Sequence, residues 1–417
     1  MFKNSFLVTL VLITCLVLFS QCAHNPVGSE VRELNQLEKS LVESDNKFGF
    51  KLFREIAGHE ESNKNIFISP LSVSMALGMT LNGANGETQA AMEQTLEFAG
   101  MTTDDINQSY RSLIDLLTRL DQKVIFEIAN SIWYRQEMTF EQTFMDVNQQ
   151  YFDAVVRAMN FGDPEEAARI INSWVKDKTH GKIEEVIKPE QIDWATVMFL
   201  VNAIYFKGTW TYEFDKERTV DDTFTLVDGS QKPCRMMIQT NEFSYQERDQ
   251  FQAIDLPYGD GQFSMTIFLP KANQSIDDFV ADFTQEHWNG WLTNFEKDSV
   301  TLRLPKFTIE CEFEETLKTV LTSLGMGIAF SGSADFTKMY KPGGLFIDMV
   351  IHKTFVEVNE EGTEAAAVTV VEMSRTSAGG DRHIKSMRVD RPFVFVIREQ
   401  HSGTILFMGK IVEPKSE

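Results

Sequence analysis

Seven histidines and four cysteines are the side chains of this 417-residue chain best suited to acid–base or nucleophilic work, yet none stands in a spacing that would use it. There is no G-x-S-x-G turn, no H-E-x-x-H pair, no G-x-x-x-x-G-K-[ST] loop and no C-x-x-C motif. Gly325-Met326-Gly327 lacks a third glycine and a preceding strand, so it reads as a turn. An enzyme is therefore not expected, and neither is a metal or cofactor. The most informative residues are Glu360 to Val371, whose chemistry is mechanical. From Thr363, every second residue (Thr363, Ala365, Ala367, Thr369, Val371) is small or β-branched and uncharged, while Glu364 and Glu372 fall on the other face. Gly362 precedes this pattern as a hinge. Alanine is depleted in permanent strands, so Ala365-Ala366-Ala367 suits a segment that slides between strands already formed. On composition alone the stretch also fits a surface loop ahead of a last strand.

The elements that must position such a segment are legible in outline. Helical spacing predicts helices over Asn46–Gly58, from Pro70 through Met79, and over Glu87–Phe98, Asp105–Leu120 and Pro164–Lys178. Ser69-Pro70 is a helix start, with serine as cap and proline where its missing N–H costs nothing. Strand patterns cover Asn65–Ile68, Val124–Trp133, Thr196–Phe206, Phe263–Leu269, Val300–Phe307, Phe346–Val358 and Phe393–Arg398. Helices dominate early and strands late, without β-α-β alternation, so the class is α+β rather than doubly wound. No repeat and no strong linker divides the body.

Thirty-three phenylalanines within 43% apolar content support a large globular core. A net charge of −22 excludes nucleic acid and anionic membrane surfaces as partners, because both need clustered Lys and Arg. Lys3 and the apolar run from Phe6 to Phe19 form a secretory signal, too short to span a membrane comfortably. Residues 1–22 are thus expected to direct export to the extracellular space or cell surface. Cys22 stands where a bacterial lipoprotein signal places its lipidated cysteine, although Gln21 replaces the usual small residue; a plain cleavage site is the alternative. Residues 23–40 read as a polar tether. Cys234 and Cys311 remain in the body, and their spacing does not say whether they pair.

Several separated segments, in order, resemble the serpins over residues 40–415. Asn65-Ile66-Phe67-Ile68-Ser69-Pro70-Leu71-Ser72 is similar to the family's strand-to-helix signature, and Leu200-Val201-Asn202-Ala203-Ile204-Tyr205-Phe206-Lys207-Gly208-Thr209-Trp210 to its central strand. Ile171-Asn172-Ser173-Trp174-Val175 with Thr179-His180-Gly181-Lys182-Ile183 resembles the helix across the main sheet. Leu304-Pro305-Lys306-Phe307, Asp335-Phe336, Ile351-His352-Lys353, Arg391-Pro392-Phe393 and Phe407-Met408-Gly409-Lys410 complete the set.

The resemblance implies a serpin fold of about eight or nine helices, smaller sheets and a large mixed β-sheet that accepts the reactive loop (about 360–390) as an inserted strand. It implies a monomeric suicide-substrate inhibitor of a serine or cysteine protease. It further implies a polar shutter of Ser69, Ser72, Asn202 and His352, a breach of Trp210 with a Lys306/Glu360 ion pair, and a hinge of Glu360, Gly362, Thr363, Ala365, Ala366 and Ala367. With Glu360 as the seventeenth residue before the scissile bond, cleavage falls at Thr376–Ser377; one residue fewer gives Arg375–Thr376. Arg375 would select trypsin-like or Arg-specific cysteine proteases, and Thr376 elastase-like or subtilisin-like ones. Departures from the pattern are Glu213-Phe214 in place of Pro-Phe, about five extra residues before Arg391, and no basic cluster over Glu87–Leu120, so heparin is not expected as a partner. A non-inhibitory serpin, acting as carrier, chaperone or storage protein, is the alternative; large or charged residues at Thr363, Ala365 or Ala367 would favour it, and they are absent.

Overall fold

Asn35 caps a first helix that begins at Gln36, ten residues ahead of the start that apolar spacing predicts. Its side chain accepts from Glu38 N–H (3.0 Å) while Glu38 Oε2 accepts from Asn35 N–H (2.7 Å), a reciprocal cap that draws Leu41 and Val42 into the core as part of α1 (Gln36–His59). Residues 36–40 therefore belong to α1 and not to a tether. The computed structural model describes residues 32–363 and 384–415. After α1 come β1 (Ile66–Ile68), α2 (Pro70–Leu81), α3 (Gly86–Thr95), α4 (Thr103–Leu117), β2 (Val124–Arg135), α5 (Gln142–Phe152), β3 (Val155–Met159) and α6 (Pro164–Lys178). The central part holds β4 (Met198–Thr209), β5 (Val220–Thr225), β6 (Gln231–Glu247), β7 (Phe251–Tyr258), β8 (Phe263–Pro270), α7 (Ile276–Ala281), α8 (Gln285–Leu292), β9 (Glu296–Pro305) and β10 (Phe307–Phe313). The chain continues through α9 (Glu315–Leu321), β11 (His352–Val358), β12 (Gly362–Thr363), β13 (Lys385–Arg388), β14 (Phe393–Glu399) and β15 (Ile405–Ile411), giving nine α-helices among the described residues.

These strands form two mixed sheets. One runs β1-β15-β14-β8-β7-β6-β9-β13, with β5 on β6; the other runs β10-β11-β12-β4-β2-β3. Their class is α+β, as the sequence implies. The predicted strand Val300–Phe307 is two strands, because the chain leaves β9 at Pro305 and Lys306 N–H turns to Arg235 O (2.8 Å) before β10 begins. The predicted strand Phe346–Val358 starts only at His352. Residues 346–351 have no paired strand and instead line a cavity.

Helix α2 is buried on almost every face, which explains its lack of a polar stripe: it packs beneath β4 and β15. Every residue of β8 and β15 is buried, so neither shows the alternation of a half-exposed strand. The phenylalanine excess collects in part around Phe251, Phe268, Phe279 and Phe283 with Trp288 and Trp291, whose neighbouring rings lie 5.0–6.1 Å apart in the geometry that aromatic pairs prefer. Cys234 and Cys311 are both free thiols.

One buried charge stands out. Asp45 of α1 accepts hydroxyl hydrogens from Ser74 of α2 (2.5 Å) and Tyr110 of α4 (2.8 Å) through Oδ1, while its Oδ2 has no partner. Burial pushes this carboxyl up to about 7, the two hydroxyls opposing the rise only in part. Because the folded value lies above the ordinary one, stability is full below about pH 4 and is lost as pH rises towards 7. Asp45→Asn should therefore remove that contribution: the melting temperature of the variant should rise relative to that of wild type between pH 5 and pH 8. Parallel curves for the two proteins would contradict this.

Candidate functional site: a parted sheet with a hinge at its top

Strands β4 and β11 face each other, yet no register joins them among the described residues. The two-residue β12 lies between their upper ends, with Thr363 opposite Gly208 on one side and Val358 on the other, and Gly362 opposite Thr209. Below it, no strand lies between β4 and β11 among the described residues. A cavity of about 20 Å³ lies directly under Thr363 between Ile204, Phe206 and Phe355. Lower down, a cavity of about 580 Å³ is bounded by Ser72, Leu200, Asn202, Met349, Ile351 and His352. The slot is one strand wide at its top, since antiparallel neighbours lie about 4.8 Å apart and β12 occupies one such place.

Gly362 is needed here for a reason its hinge position does not suggest. Its φ is not left-handed; instead, a Cβ would lie 2.0 Å from Gly208 O and 2.8 Å from Thr209 Cα. Close strand approach thus excludes every other residue. Thr363 is buried, and its hydroxyl bonds the fully buried Tyr258. Trp210 stacks on the Tyr258 ring (4.4 Å between centroids, 13° between planes) and donates through Nε1 to Asn359 O (3.0 Å). Sequence reasoning misses both Tyr258 and Asn359; an isolated tyrosine at a strand end carries no signal of its partner 105 residues away.

Glu360 is 5% exposed, and its carboxylate pairs with the half-buried Lys306 (2.8 Å). Burial by itself would raise the Glu360 carboxyl, but Lys306 and the Thr219 hydroxyl (2.8 Å) hold it below its ordinary value. Lys216 pairs with the adjacent Glu361. Phe214 N–H donates to Glu360 O (2.8 Å) while the Glu213 side chain is exposed, so replacing the family's proline by Glu213 leaves the local packing of Phe214 in place.

At the foot of the slot, Ser69, Ser72 and His352 meet. Ser69 N–H donates to His352 Nε2 (2.9 Å), the Ser69 hydroxyl donates to Leu406 O (2.7 Å), and Ser72 N–H donates to Ser69 Oγ (3.3 Å). Asn202 does not join them. It stands across the opening on β4, donating to Asn130 Oδ1 (2.7 Å) on β2, and its own buried Oδ1 has no partner. A serine–histidine contact invites a nucleophile–base reading, but the histidine accepts from the backbone N–H and the hydroxyl points elsewhere. The pair cannot activate the hydroxyl. Among the described residues, no group of three His, Cys, Asp or Glu could hold a metal. Ala365, Ala366, Ala367, Arg375, Thr376, Ser377 and Cys22 lie outside the described residues.

A family model described as "Serpin (serine protease inhibitor)" matches residues 43–414. The chain is a serpin. It is 35% identical over 381 residues to Serpin B6 of Macaca fascicularis, covering 90% of this chain and 99% of that one. The leukocyte elastase inhibitor of Sus scrofa is 36% identical over 388 residues, covering 90% of this chain and all of its own length. Among solved structures, the thermophilic serpin tengpin in its native state superposes with a TM-score of 0.81 at 30% identity, over 92% of this chain and 95% of that one. Human thyroxine-binding globulin complexed with thyroine also gives 0.81, at 27% identity over 91% of this chain and the whole of its own. The family is one of protease inhibitors rather than catalysts.

Burial pushes the His352 imidazole down to about 4, so at neutral pH it is uncharged and free to accept from Ser69. The folded value lies below the unfolded one, so the stability it supports is present above about pH 6.5 and is lost as pH falls towards 4, by on the order of 3 kcal/mol. Denaturant titrations from pH 7 to pH 4.5 should show wild type losing stability relative to His352→Gln. Equal losses would show that the imidazole is not the group titrating.

Proposed function

We propose that this serpin is an exported, monomeric inhibitor that traps a serine or cysteine protease as a suicide substrate. One observation carries the reading: Gly362 and Thr363 already occupy the top of a slot that no other described strand fills, so the chain that follows has a place to go. The protease cleaves the loop and forms an acyl-enzyme, and the freed segment then fills the slot. Roughly fifteen residues at about 3.3 Å each would carry the attached protease on the order of 50 Å and distort its active site before deacylation.

Continuing the observed register tests whether this sequence suits the slot. Each residue beyond Thr363 meets one residue earlier in both flanking strands, so Thr369, six residues on, would stand between Asn202 (208 − 6) and His352 (358 − 6). Its hydroxyl would reach the one level where Asn202 Oδ1 lacks a partner. Ala365 and Ala367 would pass Phe206 and Ile204, where small side chains are needed beside bulky ones. The similarity to a leukocyte elastase inhibitor supports inhibition in general. On the bait residue the two sequence alternatives stand, with Arg375 favoured because a basic side chain gives a protease a specific ionic anchor.

Export by the signal segment, with Cys22 as a lipid anchor, rests on the sequence alone. For heparin, α4 offers one basic residue, Arg111, already paired with Asp153 and Asp115, against Asp104 and Asp105 in its first turn. That charge pattern supports independence from the polyanion, although native protease nexin-1 with heparin is a structural neighbour at 29% identity.

Incubation with a panel of serine and cysteine proteases should give an SDS-stable complex with at least one. Mass spectrometry of the released fragment should find a new N-terminus at Thr376 or Ser377. Thr363→Arg, which forces a charge into the sheet at a cost of several kcal/mol, should be cleaved without complex formation. Full complex formation by Thr363→Arg would overturn the insertion reading, and a terminus beyond Gly380 would overturn both assignments of the bond.

A further inference from the structure

The turn that leaves α6 is tied to both sides of the open slot. His180 and Gly181 both adopt left-handed backbone (φ +50° and +83°), reversing the chain, and Gly181 N–H closes the reversal onto Lys176 O (2.7 Å). The Thr179 hydroxyl donates to Val175 O (2.9 Å) and accepts from Ile183 N–H (3.1 Å). Asn172 gathers the next residues, accepting from Val186 and Ile187 N–H (2.9 Å each). The turn is thus fixed to its helix.

From this fixed turn two side chains reach in opposite directions. His180 Nε2 contacts Glu127 Oε2 (2.8 Å), and its ring lies 4.3 Å from that of Tyr205. Glu127 and Tyr205 are register partners on β2 and β4, so this anchor grips one side of the slot. Lys182 Nζ sits 4.9 Å above the Phe355 ring and 3.5 Å from Glu357 Oε2, both on β11, and so grips the other. Lys182 also borders the small cavity under Thr363. A strand entering the slot must place its outward side chains in the layer that these two now occupy.

We propose that His180 and Lys182 are positioning residues: together they strap the α6 exit turn across the parted sheet and set the rate at which the cleaved loop enters it. The inference rests on the insertion reading above. The His180 ring is exposed and Lys182 is half-buried, so the loss of either contact acts mainly on the barrier to entry. Weakening either one frees the turn to lift; keeping the cation at Lys182 keeps the strap.

The test is stopped-flow mixing of the full chain with an excess of a protease that it traps, following an environment-sensitive dye on Ser374→Cys. The plateau rate at saturating protease reads entry of the loop. His180→Ala and Lys182→Met should each raise it by about two- to fivefold, the range that an exposed anchor supports, and Lys182→Arg should restore the wild-type rate. Unchanged or slower rates in the first two variants, with the dye still reporting entry, would overturn the strap alone. A Lys182→Arg variant as fast as Lys182→Met would overturn it as well, since the cation would not matter. No dye response to cleavage in wild type would overturn the insertion reading, and the strap with it.

Discussion

A strand position that the described residues leave unfilled is the constraint on which the rest of this structure depends. Backbone N–H and C=O groups along a strand edge demand partners, and burying them without any is costly. Among the described residues β4 is paired by β2 along one edge, while on its other edge only Thr209 and Gly208 find a strand, in the form of Gly362 and Thr363. The neighbouring β11 is equally incomplete, paired fully with β10 and by one residue with β12. Among the described residues the sheet lacks a strand between β4 and β11, and the sequence after Gly362 has the small side chains that such a place would need.

Everything around the slot keeps that vacancy in place. At its top, Tyr258, Trp210 and the Glu360–Lys306–Thr219 cluster fix the depth to which the hinge is seated. The contact of Gly362 with the β4 backbone leaves no room for a side chain, so position and depth are determined together. At its foot, the uncharged His352 holds Ser69, while Asn202 is drawn aside to Asn130 with one oxygen unsatisfied. An orphaned polar atom inside a protein is destabilising, and here it marks the level at which an incoming hydroxyl would be welcome.

Much of this is legible in the sequence, and what is not has physical causes. The alternation from Thr363, the Ser69-Pro70 helix start and the apolar spacing of α6 are local properties, readable from a few neighbouring residues. The capping pair Asn35 and Glu38 is legible too, yet the weak apolar spacing of the first two turns hides the start of α1. The 17-residue β6 carries Pro233, Arg235, Gln239 and Asn241 among its apolar residues, so no clean period marks it. Partners across the fold leave no local trace: nothing near Glu360 announces Thr219, and nothing near Asn202 says that it turns to Asn130. Whether a sheet is closed or parted is likewise a relation between strands 150 residues apart in sequence, as Asn202 and His352 are (352 − 202 = 150).

The most direct test of the central claim compares the melting temperature of the intact chain with that of the same chain nicked once within residues 371–377. A vacancy filled by the freed segment would restore pairing along β4 and β11, and the transition should move far beyond the few degrees that about 1 kcal/mol produces in a domain of this size. An unchanged melting temperature after complete cleavage would mean that the slot does not accept the loop, and would contradict the parted sheet as the basis of inhibition.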